Sequence, residues 1–180
     1  MIFVTGATGF LGSYLAKNLI NQGFKVRAFK RPASNFDLLG EYAQRIEWVA
    51  GDLLDLPSVE SALQGIEKIY HCAGIVAPRM SERRKAVLIN TEGSANLYNA
   101  ALVSGVKKAL HVSSTMALGR PVNAGVISEN HNSGDGKKQP VYIESKRLGE
   151  LEAWRTDAEG LPVVIVNPAG IIGAGKWQHE

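Results

Sequence analysis

The chain has 180 residues, 45% of them hydrophobic and 21% charged, with a formal net charge of +3. This is the composition of one domain with a sizeable core, and the charge is too small to mark a nucleic-acid binder. A single cysteine, Cys72, excludes an intramolecular disulfide. It fits a reducing compartment, and no apolar stretch approaches membrane-spanning length, so a cytoplasmic protein with no membrane partner is expected.

The first element is an apolar strand, Ile2–Thr5, which runs directly into Gly6-Ala7-Thr8-Gly9-Phe10-Leu11-Gly12. A helix then carries Leu11, Leu15, Leu19 and Ile20 at helical spacing. Gly6 permits a sharp strand-to-helix turn. Gly9 lets phosphate oxygens approach the N–H groups at the helix start, and Gly12 allows close packing of that helix. The strand–turn–helix context lifts this spacing above an ordinary glycine turn and points to a dinucleotide pyrophosphate. Its pattern, Gly-x-x-Gly-x-x-Gly, is one residue longer in the first gap than the commonest fingerprint.

Strand and helix patterns alternate from there on. Strands are predicted at 25–30 and 45–49, a helix at 56–63, and a fourth strand at Lys68–His71. A long helix over 84–104 is predicted to bury Val87, Leu88, Leu97, Ala100 and Ala101. A fifth strand at 109–113, a helix at 142–158 and a sixth strand at 163–167 complete the chain. Strands joined by helical crossovers imply an α/β doubly wound parallel sheet, a Rossmann fold, with ligands beyond the carboxyl ends of its strands. Gly6, Cys72–Gly74, Ser113–Thr115 and Pro168 all fall just past predicted strand ends. The cluster Arg79, Arg83, Arg84 and Lys85 reads as a solvated helix start or loop, or as a contact for an anionic group. The stretch 119–140 is polar, rich in glycine and without period; it is either a surface insertion or a loop that closes over substrate.

Tyr142 and Lys146 stand one turn apart on a predicted helix, a proton donor beside a cation. A free tyrosine titrates near ~10, so proton transfer at neutral pH requires a lowered value, which a neighbouring cation supplies. The end of the second strand carries Lys30 and then Arg31, where an NAD-specific site has an acidic residue. Cations there attract a 2′-phosphate, and Arg31 can grip one in bidentate fashion, so NADP is favoured over NAD; otherwise both are exposed strand-end charges.

Taken together, the chain resembles the extended short-chain dehydrogenase/reductase superfamily, in its NAD-dependent epimerase/dehydratase branch. The resemblance rests on Thr5–Gly12, Gly51-Asp52-Leu53, His71–Gly74, Asn90–Gly93, His111–Ser114, Tyr142–Lys146 and Asn167–Gly173. Val26-Arg27-Ala28, Arg31-Pro32 and Val164–Pro168 are similar to its dihydroflavonol-reductase-like and sterol-dehydrogenase-like groups. The resemblance implies that Tyr142 is the general acid/base and that Lys146 lowers its pKa and bonds the nicotinamide ribose. It implies that Ser114, rather than its neighbours Ser113 and Thr115, bonds the reacting oxygen. Thr8, Phe10 and Leu11 join the three glycines as cofactor-binding candidates. Asp52 and Leu53 would flank the adenine, Ala73 and Gly74 would line the cofactor, and Pro168 would meet its nicotinamide end. Asn90 would support the site's backbone, with helix capping as the alternative, and His71 is expected to be packed rather than catalytic.

The leading expectation is therefore an NADP-dependent oxidoreductase acting on a ketone or secondary alcohol, with a small-molecule substrate and no metal. A nucleotide-sugar epimerase or dehydratase using NAD is the second reading. A non-catalytic sensor of NAD(P) is the third, and retention of Ser114, Tyr142 and Lys146 together weighs against it. The family implies a homodimer through the long helix and the tyrosine-bearing helix. Extended members continue well past the sixth strand, so residues 1–180 are expected to be the cofactor-binding part of a longer chain.

Overall fold

The computed structural model describes residues 1–76, 83–119, 126–129 and 140–175. Six strands form one sheet: β1 (Ile2–Thr5), β2 (Val26–Lys30), β3 (Ile46–Ala50), β4 (Lys68–His71), β5 (Lys108–Val112) and β6 (Val163–Val166). Their order is β3-β2-β1-β4-β5-β6, and every pairing is parallel. The order reverses between β1 and β4, which opens a crevice at their carboxyl ends. In register, Thr5 of β1 pairs with His71 of β4, so the two strands end together at that crevice.

The helices are α1 (Phe10–Asn21), α2 (Leu56–Ala62), α3 (Arg83–Val87), α4 (Gly93–Val103) and α5 (Val141–Ala158). A 3-10 turn at Gly40–Arg45 and another at Thr115–Leu118 were not anticipated from periodicity. Every β1 residue is buried, because successive side chains point to opposite faces and both faces are covered. Ile2 and Val4 pack with Ala16, Leu19 and Ile20 of α1. Phe3 packs on the other face with Val59, Leu97, Tyr98 and Ala153 from α2, α4 and α5. Truncating such a fully buried phenylalanine costs about 3–5 kcal/mol. β6 lies at the sheet edge, with Val164 and Val166 partly exposed.

Element bounds match expectation to within a residue or so except in the long helix. That run is not uniform: α3 and α4 are joined by a π-helical turn at Leu88–Glu92. Leu97, Ala100 and Ala101 are buried as expected, whereas Val87 and Leu88 are only half-buried. The π turn rotates the side chains that precede it relative to those of α4, which a uniform 3.6-residue period does not anticipate.

Candidate active site

The glycine turn is built by contact as much as by dihedral preference. Gly6 sits at φ +69°, and a Cβ there would lie 2.7 Å from the Ala73 nitrogen. On Gly12 a Cβ would come 2.1 Å from the Gly6 carbonyl oxygen, so α1 can start this close only with glycine. Gly9 caps α1 with extended backbone and no side-chain hydrogen bond. The first-turn N–H groups, which lack intrahelical partners, are thereby left to a ligand, and the helix dipole favours an anion.

A groove of about 190 Å³ runs from this turn across the crevice, lined by Gly6, Thr8, Gly9, Arg31, Ser34, Asp52, Leu53, Ala73 and Gly74 among others. Arg31 and Ser34 form a closed turn: the Arg31 N–H donates to Ser34 Oγ at 2.8 Å, and the Ser34 N–H donates to the Arg31 carbonyl at 2.9 Å. Lys30 ends β2 with its side chain exposed and is not among the lining residues, so of the two cations Arg31 alone faces the groove. Asp52 Oδ1 accepts from the Leu54 N–H at 3.0 Å, which shapes the groove's rim. Phe10 lies away from it, its ring against Gly173 and Gly175.

A second hollow shares Cys72, Gly74 and Ile75 with the first and continues to Leu11, Ser114, Tyr142, Lys146 and Pro168. The two form one path from the glycine turn to the α5 residues. Tyr142 and Lys146 present one face of α5 to this hollow. Lys146 Nζ donates to the Val112 carbonyl at 3.1 Å, and burial pushes its pKa below the usual lysine value. Gly74 makes room for that ammonium, since a Cβ there would lie 3.0 Å from Nζ. Ser114 Oγ accepts from the Met116 N–H at 3.2 Å, capping the 3-10 turn and leaving its own O–H to donate. Ser113 is committed elsewhere, donating to Glu150 Oε2 at 2.5 Å, and Thr115 does not line the hollow. The Thr115 N–H donates to the Pro168 carbonyl at 3.1 Å, which joins the segments after β5 and β6.

Asn90 lies buried behind the groove wall rather than at a helix end. Its Oδ1 accepts from the Ile75 N–H at 2.8 Å, while Nδ2 donates to the Ile75 carbonyl at 2.9 Å and to Ser145 Oγ at 3.0 Å. The π turn carries Asn90, which reaches the segment after β4. Gly149 of α5 accommodates the turn, because a Cβ there would sit 2.4 Å from the Asn90 carbonyl.

His71 is the hub of a buried chain. Thr5 Oγ1 accepts from the Ala73 N–H at 3.1 Å, so its hydroxyl donates to His71 Nδ1 at 2.6 Å. His71 Nε2–H then donates to Ser94 Oγ at 2.8 Å, and Ser94 donates to the Asn90 carbonyl at 2.8 Å. Burial, then the neighbouring His111 and Lys146, hold the His71 pKa well below the usual value, so the ring is neutral. Tyr98 Oη bonds His111 Nδ1 at 2.7 Å, and burial brings the His111 pKa down to about 3. The Cys72 thiol is pushed up to about 12 by burial and stays protonated at the groove wall. Sequence reasoning missed Ser34, Ser94 and Glu150, which belong to none of the quoted motifs, and gave no role to Ser145 although it lies within Tyr142–Lys146.

Arg83 pairs with Glu144 at 2.8 Å, while Arg84 and Lys85 are exposed; Arg79 and most of the 119–140 loop lie outside the described residues. Among the described residues, no group of His, Cys, Asp and Glu could hold a metal ion, and no helix is long and apolar enough to cross a membrane.

The NAD dependent epimerase/dehydratase family model matches residues 2–180. The chain is 37% identical over 171 residues to sterol demethylase protein B of Methylococcus capsulatus, covering 94% of this chain and 51% of that one. It is 33% identical to a Synechocystis sp. protein named as a dihydroflavonol 4-reductase, covering 95% of this chain and 49% of that one. Among solved structures, a short-chain dehydrogenase/reductase superfamily protein from Agrobacterium tumefaciens with bound NAD superimposes with a TM-score of 0.78 at 27% identity, covering 93% of this chain and 48% of that one. The chain thus spans about half the length of the relatives it matches. With this sheet order, this glycine turn and a family match over residues 2–180, the chain belongs to the NAD dependent epimerase/dehydratase family, among relatives of the extended short-chain dehydrogenase/reductase type.

Proposed function

We propose that residues 1–180 form the nucleotide-binding part of an NADP-dependent oxidoreductase acting on a ketone or secondary alcohol. The observation that carries this reading is the continuous path from the glycine turn to Ser114, Tyr142 and Lys146. The cradle fits a dinucleotide: Gly6, Gly9 and Gly12 keep side chains out of the turn, and the α1 start faces it. Bound there, the nicotinamide supplies the hydride acceptor or donor. Tyr142 Oη passes the proton to or from the substrate oxygen, and Ser114 Oγ–H holds that oxygen in place. Lys146, desolvated one helical turn from Tyr142, would hold the nicotinamide ribose. Arg31, with Ser34 beside it, supports a 2′-phosphate at the adenosine end, so NADP is preferred.

The names of the relatives support a reductase or dehydrogenase, and exposed Leu151 and Trp154 on α5 support a homodimer through α4 and α5. The test follows oxidation of reduced cofactor by a panel of ketones, and reduction of oxidised cofactor by secondary alcohols, in the full-length protein. Tyr142→Phe is expected to lower kcat by about 10²–10⁴-fold while cofactor affinity holds, the range for loss of a general acid/base. Unchanged turnover in that variant refutes the assignment.

A further inference from the structure

Glu150 follows Lys146 by one helical turn on the same face of α5, yet it is committed to a different set of partners. The residue is 9% exposed. Its Oε2 accepts from Ser113 Oγ at 2.5 Å and from Asn167 Nδ2 at 2.8 Å, and its Oε1 accepts from Trp154 Nε1 at 3.4 Å. Ser113 directly follows β5 and Asn167 directly follows β6, so one carboxylate oxygen ties both strand ends to the helix bearing Tyr142 and Lys146. The same Asn167 amide donates to the Ser114 carbonyl at 3.1 Å.

A carboxylate this deep is costly unless it is hydrogen-bonded, and an apolar side chain would fill the space without that cost. What the carboxylate adds is a double acceptor that two strand ends can share. It engages the Ser113 hydroxyl, so of the two serines that line the hollow Ser114 is the one whose hydroxyl is not tied to α5. Through Asn167 it also fixes the backbone on which Ser114 sits.

We propose that Glu150 is a positioning residue that sets the place of Ser114 through Ser113 and Asn167. What Ser114 does once placed rests on the functional reading above; the placement itself does not. The experiment therefore reads both, in the full-length protein, using Glu150→Leu and Glu150→Gln. Amide hydrogen exchange across 113–118 is expected to quicken by roughly tenfold or more in the leucine variant, as a local loss of protection. In that variant kcat is expected to fall about 100-fold, the size of effect a small misplacement produces, at unchanged cofactor affinity. Glutamine keeps an acceptor for Ser113 and Asn167 and should restore protection and most of kcat. Should the leucine variant fail to fold, Asn167→Ala carries the test, since it cuts the link to the Ser114 carbonyl and is expected to loosen 113–118 in the same way. Wild-type exchange across 113–118 in the leucine variant overturns the proposal, as does loosening spread evenly over the whole protein. A wild-type protein that turns over no carbonyl or alcohol, while the local exchange difference persists, overturns the functional reading and leaves the placement standing.

Discussion

Gly12 shows most directly how a single residue type builds the site. A methyl group there would lie 2.1 Å from the Gly6 carbonyl oxygen, and that neighbour is backbone, which cannot rotate away. We expect Gly12→Ala to destabilise the fold by about 1–3 kcal/mol, the range for overpacking a tight contact, and to abolish dinucleotide binding by pushing α1 off the turn. Denaturant unfolding and a cofactor titration check the two halves; a stable variant that binds normally contradicts the contact argument. The glycines were legible in the sequence because their spacing after an apolar strand has a geometric cause. Ser34 and Glu150 were not, because their roles depend on where a turn and a helix face come to rest.

Among the elements, the join between α3 and α4 matters most. Its π turn turns Asn90 toward Ile75, so a helix and the segment that follows β4 share one hydrogen-bonded seam. Removing the amide leaves the Ile75 N–H and carbonyl without it, and we expect Asn90→Ala to cost about 1–3 kcal/mol. Weaker cofactor binding should accompany this loss, because Ile75 borders both parts of the groove. Equilibrium unfolding of the variant with and without cofactor measures both. The strands were located to within a residue, since burial on both faces of a doubly covered sheet is written in short continuous apolar runs. The π turn escaped periodicity, because one extra residue in a helical turn changes side-chain direction without breaking the apolar pattern. Asn90 itself was marked only by resemblance, and its partners became visible once β4 and α5 were set beside it.

At the scale of the whole molecule, two neutral histidines lie in the interior beneath the groove. His71 and His111 both have pKa values lowered chiefly by burial, His111 to about 3. In the unfolded chain each titrates near ~6.5, so below that pH the unfolded state binds more protons than the folded one. Stability is therefore full above that pH and falls as pH drops, with the His111 contribution exhausted at about 3. His111→Gln should remove about one proton from the slope of stability against pH in that window; an unaltered slope contradicts the neutral buried ring. The parallel sheet and its ligand edge were legible because strand–helix alternation constrains topology strongly. The interior polar chain was not, since it joins residues from distant parts of the sequence. A fluorescence titration of the full-length protein with NADPH and NADH tests most directly whether the groove holds the cofactor. Arg31 facing the groove leads us to expect NADPH to bind at least about tenfold more tightly, the worth of one charge-assisted phosphate contact. NADH binding as tightly as NADPH would contradict the assignment of Arg31, and binding of neither would contradict the dinucleotide site itself.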